Sequence, residues 1–439
     1  MKFTGKKSPV VATAAIMAMV SSVSFSAAAG ASSTAHHGLS REAASSSTTY
    51  LQLANDKPSW TKGFNAIGKV LAGLDGVGWQ AEPYSSTTAF QGVVRAAATT
   101  SQAPPLFTWW SGQQLLPLVQ AGALANMTSD VKVWESKYGL NPDVEDAYKV
   151  NGQYYGAPLY TSDWIVYYNI KDFKKYDLSV PTTWAQLMAD CATLKTNNIS
   201  PFAYYVDDWA GFIWFEQFLL ELNPTAYQKL VAGKISYTSA PVVAAMEAWK
   251  KVADDGYFGT PQDIDTDLAT PTGFVNGSDA MLLIGSWEES SLVSDGMKPG
   301  KDFGAFIMPP MNPAVGWQAI FETGPVTVSA HNSNEQAALK SVNTFMEPSV
   351  QASWDKLQSF VSAESSVQTT DPTALSVAKE VKTENVHLSN RYWEATPPQI
   401  AVPVASDLSK FILNPNLSLT PFLQTLQHLA TSYWSTVKK

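Results

Sequence analysis

Fifteen tryptophans and 17 tyrosines in 439 residues make the aromatic ring the side chain to follow. An indole carries a broad apolar face and a single N–H donor. Two indoles are adjacent in Phe107-Thr108-Trp109-Trp110-Ser111-Gly112. Neighbours in an extended segment face opposite sides, so Trp109 and Trp110 cannot both enter one core. Trp60 stands beside Asp56 and Lys57, while Tyr160-Thr161-Ser162-Asp163-Trp164 and Asp207-Asp208-Trp209 each join rings to carboxylates. Aromatic plates cover flat apolar ring faces, and a carboxylate accepts from hydroxyls that would cost about 1–3 kcal/mol each if buried unpaired. The chemistry of such a set is capture of a small polyhydroxylated ring. Each member has a plainer role beside it: lobe packing for Trp109 and Trp110, helix capping for Asp207 or Asp208. The two adjacent aspartates also raise glycoside hydrolysis, but that needs carboxylates about 5–9.5 Å apart on separate elements, and adjacent side chains diverge.

The elements that would carry these residues alternate. Thr48 to Leu53 reads as a strand, followed by a helix with Trp60, Phe64, Ile67 and Leu71 on one face. A strand near Gln80 to Tyr84 precedes a helix with Phe90, Val93, Val94 and Ala97, and a brief strand from Pro105 to Trp109 precedes one with Leu115, Leu118 and Val119. The pattern resumes after Tyr160, with helices near Trp184–Leu194, Phe212–Leu222 and Val242–Val252 and a strand at Ala280–Ile284. Strands alternating with amphipathic helices predict an α/β fold around a largely parallel sheet. Trp60 and Trp109-Trp110 follow strands, where ligands meet the carboxyl edge of such a sheet. The length exceeds one ordinary core and predicts two lobes. No segment reads as a flexible tether, so the chain is expected to cross between the lobes several times and make a hinge.

At the N-terminus, Lys2, Lys6 and Lys7 precede an apolar run from Val10 to Val20 and a small-residue stretch through Ala31. These are the parts of a secretory signal peptide, expected over residues 1–29, and the run is shorter than the about 20 residues that span a bilayer. Residues 30–47 lack apolar periodicity and read as a disordered leader. The single cysteine, Cys191, lies on an apolar helical stripe and reads as a buried thiol; no cysteine follows the signal to take a lipid anchor. A net charge of −9 argues against nucleic acid, whose binding rests on basic patches.

Several ordered motifs carry a family resemblance. Gly152-Gln153-Tyr154-Tyr155-Gly156-Ala157-Pro158, Tyr168-Asn169-Ile170-Lys171-Asp172-Phe173, Pro181-Thr182-Thr183-Trp184 and Ile199-Ser200-Pro201-Phe202 come first. Phe274-Val275-Asn276-Gly277-Ser278-Asp279-Ala280-Met281, Gly285-Ser286-Trp287, Pro309-Pro310 and Asn334-Glu335-Gln336-Ala337-Ala338 follow. In this order they resemble extracellular solute-binding proteins of the carbohydrate-uptake class, the maltose- and multiple-sugar-binding type. Departures are small: Ile170 stands where lysine is commoner, and Asn198 replaces the glycine before Ile199.

The resemblance implies a two-lobed periplasmic-binding-protein fold, type II-like, each lobe a mixed sheet flanked by helices. Residues 48–157 with 312–347 are expected in the N-terminal lobe, and 158–311 with 348–439 in the other. It implies a non-enzymatic substrate-binding component of an ABC importer, periplasmic and monomeric. Such a protein takes a sugar into the inter-lobe cleft, needs no cofactor or metal, and delivers its cargo to a membrane permease. Trp287 is a cleft residue on the family pattern; Trp60, Trp109, Trp110, Tyr160, Asp163, Asp207, Trp209, Trp317, Glu322 and Trp393 complete the expected ligand-binding set. The alternatives are the same clamp for a polyol, an amine or a glycerol derivative, and, more remotely, a secreted glycoside hydrolase.

Overall fold

The computed structural model describes residues 48–206, 211–261, 272–414 and 416–437. The expected signal and leader, residues 1–47, lie outside the described residues, as do Asp207 and Trp209.

The chain opens with two strand–helix units. Strand β1 (Thr49–Asn55) buries Leu51, Leu53 and Ala54, and the Thr61–Asp75 helix lays Phe64, Ile67 and Leu71 on the sheet before β2 (Val77–Pro83) returns parallel to β1. Gly68 is what lets helix and strand meet, since a Cβ there would stand 1.9 Å from the Trp79 carbonyl oxygen. Ser86 caps the Thr87–Ala97 helix by accepting the Ala89 N–H, the use to which a serine before an apolar face is put. Strand β3 (Leu106–Thr108) then joins β1 on its other side, again parallel.

A two-residue hairpin follows, β4 (Lys149–Val150) and β5 (Gln153–Tyr154), closed by Asn151 and Gly152 at φ 52° and 80°. Positive φ at both central residues is the turn that Asn-Gly favours. The hairpin leads into β6 (Ala157–Asn169), a 13-residue strand that passes through both halves of the molecule. Beyond it lie β7 (Ser200–Phe202), β8 (Asp279–Gly285), β9 (Phe303–Phe306), β10 (Gln318–Val328) and β11 (His387–Asn390). The backbone of the sheet runs β2-β1-β3-β10-β6-β8-β7, with β11 on β10 and β9 on β6. β8 is buried along its length, as its run Ala280-Met281-Leu282-Leu283-Ile284 requires of a strand covered on both faces. The Ile213–Leu222 helix is buried on every side through Glu221, and Cys191 is a buried free thiol on the Trp184–Thr196 helix. Thr183 caps that helix, accepting from Gln186 N–H at 3.2 Å.

The chain crosses between the halves three times. β6 carries it out and β10 carries it back, paired antiparallel from Phe321↔Asp163 to Val326↔Ala157 with a register shift at Gly324/Pro325. The third crossing, residues 359–371, joins the Pro348–Gln358 helix to the Pro372–Thr383 helix. The former packs on the Thr61–Asp75, Glu289–Ser294 and Glu335–Phe345 helices, and the latter on β9. Only Met346 and Glu347 separate the Glu335–Phe345 and Pro348–Gln358 helices.

Gly68→Ala pushes a methyl into the Trp79 main chain, which cannot yield as a flexible side chain would. Urea denaturation is expected to show a loss of about 1–3 kcal/mol, with the slope of the transition unchanged. Wild-type stability would disprove the close helix–strand approach.

Candidate functional site

Carboxyl ends of strands converge on one cavity. Past β1 come Lys57 and Trp60; past β3, Trp110; past β8, Trp287; past β11, Arg391 and Trp393. Thr87 enters from the start of its helix and Phe212 from the residue before the Ile213–Leu222 helix. The two crossing strands supply Tyr160 from β6 and Glu322 from β10. The space among these side chains is about 490 Å³ counting the part open to solvent, and the centre of a water molecule can occupy about 40 Å³ of it.

Its walls are rings. Trp60 meets Tyr160 edge-on at 5.5 Å, and Trp110 meets Trp393 at 6.3 Å across the two halves. The Lys57 ammonium lies 5.4 Å from the Trp60 ring and 5.8 Å from the Trp110 ring, within range of cation–π attraction. Lys57 also pairs with Asp56 at 2.9 Å, and the other Asp56 oxygen accepts from the Thr87 hydroxyl at 3.0 Å. The indole N–H groups of Trp60 and Trp393 are buried and meet no protein acceptor.

The polar centre is an ion-paired arginine. Arg391 Nη1 stands 2.6 Å from Glu322, while Nε and Nη2 donate to the two oxygens of Glu394 at 2.9 and 2.6 Å. The other Glu322 oxygen accepts from the Trp287 indole. Burial by itself would lower the Arg391 guanidinium; Glu322 and Glu394 together hold it above its ordinary value. Burial pushes the Glu322 carboxyl up, against the pull of Arg391, and raises the Tyr160 hydroxyl well above the usual range. Across the seam, Gln114 Nε2 donates to the Trp393 carbonyl at 2.9 Å, and a Cβ on Gly112, at φ 59°, would stand 2.4 Å from the Glu394 carbonyl oxygen.

Six of the expected residues thus line one cavity: Trp60, Trp110, Tyr160, Trp287, Glu322 and Trp393. Trp109 does not. It is buried between Phe90 and Phe107, with its N–H on the Gln114 carbonyl at 2.9 Å. Asp163 lies opposite Phe321 in the sheet, off the lining, and burial lifts it to about 6. Trp317 stands at the outer start of β10, its carbonyl accepting from His387 N–H. Lys57, Thr87, Phe212 and Arg391 were not in the expected set. Lys57 was adjacent to a chosen ring, and Arg391 lies two residues from Trp393, so proximity to an expected indole was the available signal.

Among the described residues, no helix is long and apolar enough to cross a membrane, and no group of three or more His, Cys, Asp or Glu residues could hold a metal ion.

Residues 69–383 match the family of bacterial extracellular solute-binding proteins. A probable sugar-binding periplasmic protein of Brucella melitensis is 24% identical over 56% of this chain and 59% of its own length. Its counterpart in Rhizobium meliloti is 23% identical over 71% of this chain and 76% of that one. The chain therefore spans about 59% of the length of the first curated relatives it matches. Among solved structures, a chitin oligosaccharide binding protein superposes with a TM-score of 0.75 at 19% identity, covering 88% of this chain and 98% of that one. A bacterial solute receptor with a preference for β-D-galactopyranose superposes at 0.76 with 18% identity, covering 89% and 100%. The fold is accordingly the mixed α/β, two-lobed fold of periplasmic solute-binding proteins. With the family match running over residues 69–383 of 439, the chain belongs to the bacterial extracellular solute-binding proteins.

Proposed function

We propose that this protein is the substrate-binding component of an ABC importer, taking a mono- or oligosaccharide into the aromatic cavity and passing it to a membrane permease. It acts as a monomer, exported to the periplasm behind a cleaved signal rather than tethered by lipid. The observation that carries the reading is a cavity walled by Trp60, Trp110, Tyr160, Phe212, Trp287 and Trp393 around Glu322 and Arg391. Rings cover the C–H face of a pyranose. The two unpartnered indole N–H groups await acceptors, which sugar oxygens supply. Relatives named as sugar-binding periplasmic proteins and neighbours described with chitin oligosaccharide, β-D-galactopyranose and raffinose support the cargo class.

Walls drawn from both halves imply closure around the cargo, driven by contacts that only the closed form completes. Hydrolysis is disfavoured by inventory: among the described lining residues Glu322 is the one carboxylate, and both its oxygens are engaged. A glycosidase needs a second, unengaged carboxylate across the bond. An amine cargo is disfavoured too, because the faces of Trp60 and Trp110 already hold the Lys57 cation.

A thermal-shift panel of neutral sugars, polyols and amines tests this reading. A sugar present at 100 times its Kd should stabilise the protein by about 2.7 kcal/mol, with the sugar recovered intact and no shift from amines. Silence from every sugar alongside a response to amines would sink the assignment.

Replacing Trp110, the partly buried ring at the seam, with alanine removes a stacking face without opening the core. Fluorescence titration with whichever sugar responds should then show Kd rising at least about tenfold, a loss of ~1.4 kcal/mol, at nearly unchanged melting temperature. Unaltered affinity would place the cargo elsewhere.

A further inference from the structure

Arg391 and Trp393 both line the cavity, and Tyr392 between them does not. Where their side chains stand depends on the main chain of residues 390–393. β10 holds one side of it: Arg391 N–H donates to the Phe321 carbonyl at 2.9 Å, beside the ion pair with Glu322. Two side chains from neighbouring helices hold the other. Glu216, on the Ile213–Leu222 helix, accepts from Tyr392 N–H at 2.8 Å through Oε1. Tyr227, on the Pro224–Val231 helix, has its hydroxyl 2.5 Å from the Asn390 carbonyl oxygen and 2.8 Å from the same Glu216 oxygen. Glu216, Tyr227 and Tyr392 are fully buried. Glu216 also stands one turn beyond Phe212, another lining residue, whose ring meets the Tyr392 ring at 5.9 Å.

A phenol has one hydrogen to give. The Asn390 carbonyl has none, so the Tyr227 hydrogen fills the shorter contact. Two oxygens 2.8 Å apart still need a hydrogen between them, and Glu216 must supply it. Glu216 is therefore a carboxylic acid, donating to Tyr227 and accepting from Tyr392 on the same oxygen. Its other oxygen is buried with no hydrogen-bond partner, which a neutral acid tolerates far better than a carboxylate. Burial acts in the same direction, pushing the group well above the ordinary carboxylate range against the pull of Tyr227, Tyr392 and Arg391. The neighbourhood favours neutrality too. Arg391 already meets Glu322 and Glu394, and a third negative charge beside one guanidinium would go unmatched.

We propose that Glu216, as a neutral acid, is a positioning residue for the cavity wall formed by Arg391 and Trp393. It fixes the Tyr392 N–H directly and the Asn390 carbonyl through Tyr227, and so sets where the guanidinium and the indole stand toward the cargo. Glu216 does not touch the cargo; it acts through the residues on either side of the amide it holds. A shift of this main chain moves both side chains together, and binding groups set about 1 Å out of place lose much of their grip. This role rests on the cavity being the sugar site proposed above.

Two readouts separate positioning from bulk stability. The arginines of the chain are Arg41, Arg95 and Arg391, so few Nε–H signals are expected by NMR, and Arg41→Lys and Arg95→Lys identify that of Arg391 by elimination. Affinity is read by fluorescence titration with whichever neutral sugar stabilises the protein. Glu216→Gln keeps an uncharged acceptor for Tyr392 N–H, so Kd should stay within about threefold of wild type with the Arg391 signal in place. Glu216→Leu keeps the bulk and removes the acceptor; Kd should rise at least about tenfold and the Arg391 signal should shift. Tyr227→Phe, which releases the Asn390 carbonyl alone, should fall between the two. Val342→Ala, which trims the core on the distant Glu335–Phe345 helix, is the control: its melting temperature should drop while Kd and the Arg391 signal hold.

Wild-type affinity with an unmoved signal in Glu216→Leu overturns the assignment. So does an equal loss of affinity in Val342→Ala, which would make the effect a general softening of the fold. A Glu216→Gln protein that behaves like Glu216→Leu overturns it as well, since the group would then act by its charge. If Glu216→Leu does not fold, Tyr227→Phe takes its place in both comparisons. If no sugar binds, the cargo reading fails by itself, and the Arg391 signal in the ligand-free variants still decides the positioning.

Discussion

Arg391 is a full positive charge almost wholly removed from water, and the arrangement of the cavity follows from keeping it there. An unpaired charge in that position would cost several kcal/mol, so two carboxylates must reach it. Glu394 does so from one turn along its own helix, but Glu322 has to come from β10. That obliges β11 to run beside β10 in the register that sets Phe321 against Asn390, so that the residue after the strand meets the residue after Phe321. The same carboxylate then fixes Trp287 through its indole N–H. One ion pair thus orients a ring from the second half against a strand that passes between both.

The order in which groups surround that pair explains the balance of the site. Asp56 and Glu394 stand behind Lys57 and Arg391 rather than in the lining. The side turned to the cavity is therefore richer in N–H groups than in oxygens, while the negative charge sits one layer back. Rings fill the remaining wall. A site of this kind grips through shape and many modest hydrogen bonds, and its electrostatics serve to hold the walls in place.

Much of this was readable in the sequence, for reasons that differ residue by residue. Trp60 and Trp110 follow apolar strands, and the carboxyl ends of strands point where ligands sit; Trp287 was named on the family pattern. Tyr160 stood out as a ring beside a carboxylate in Tyr160-Thr161-Ser162-Asp163-Trp164. Asp163, three residues on in the same strand, falls on the opposite face by the two-residue period; the reading grouped it with Tyr160 by nearness in sequence and overlooked that parity. Between Trp109 and Trp110 the period says only that one enters the core, and which one depends on Phe90 and Phe107 packing from other elements. Beyond its nearness to Trp393, nothing marked Arg391, because β11 reads His387-Leu388-Ser389-Asn390, with no apolar alternation to mark a strand. A strand recruited by its neighbour's edge and a charge recruited by a distant carboxylate leave no trace in the hydrophobic pattern. The family motifs lie in turns and core strands, apart from Gly285-Ser286-Trp287, whose indole lines the cavity.

Gly112 sets a mechanical limit. With its hydrogen in place of a methyl, main chain from the first half touches main chain from the second at the Glu394 carbonyl, and Gln114 locks the same seam through the Trp393 carbonyl. In the closure proposed above, this backbone contact would be the stop that determines how far the jaws shut. Backbone does not change when cavity side chains are exchanged, so relatives could swap rings to suit new cargoes while inheriting the same stroke of the jaw.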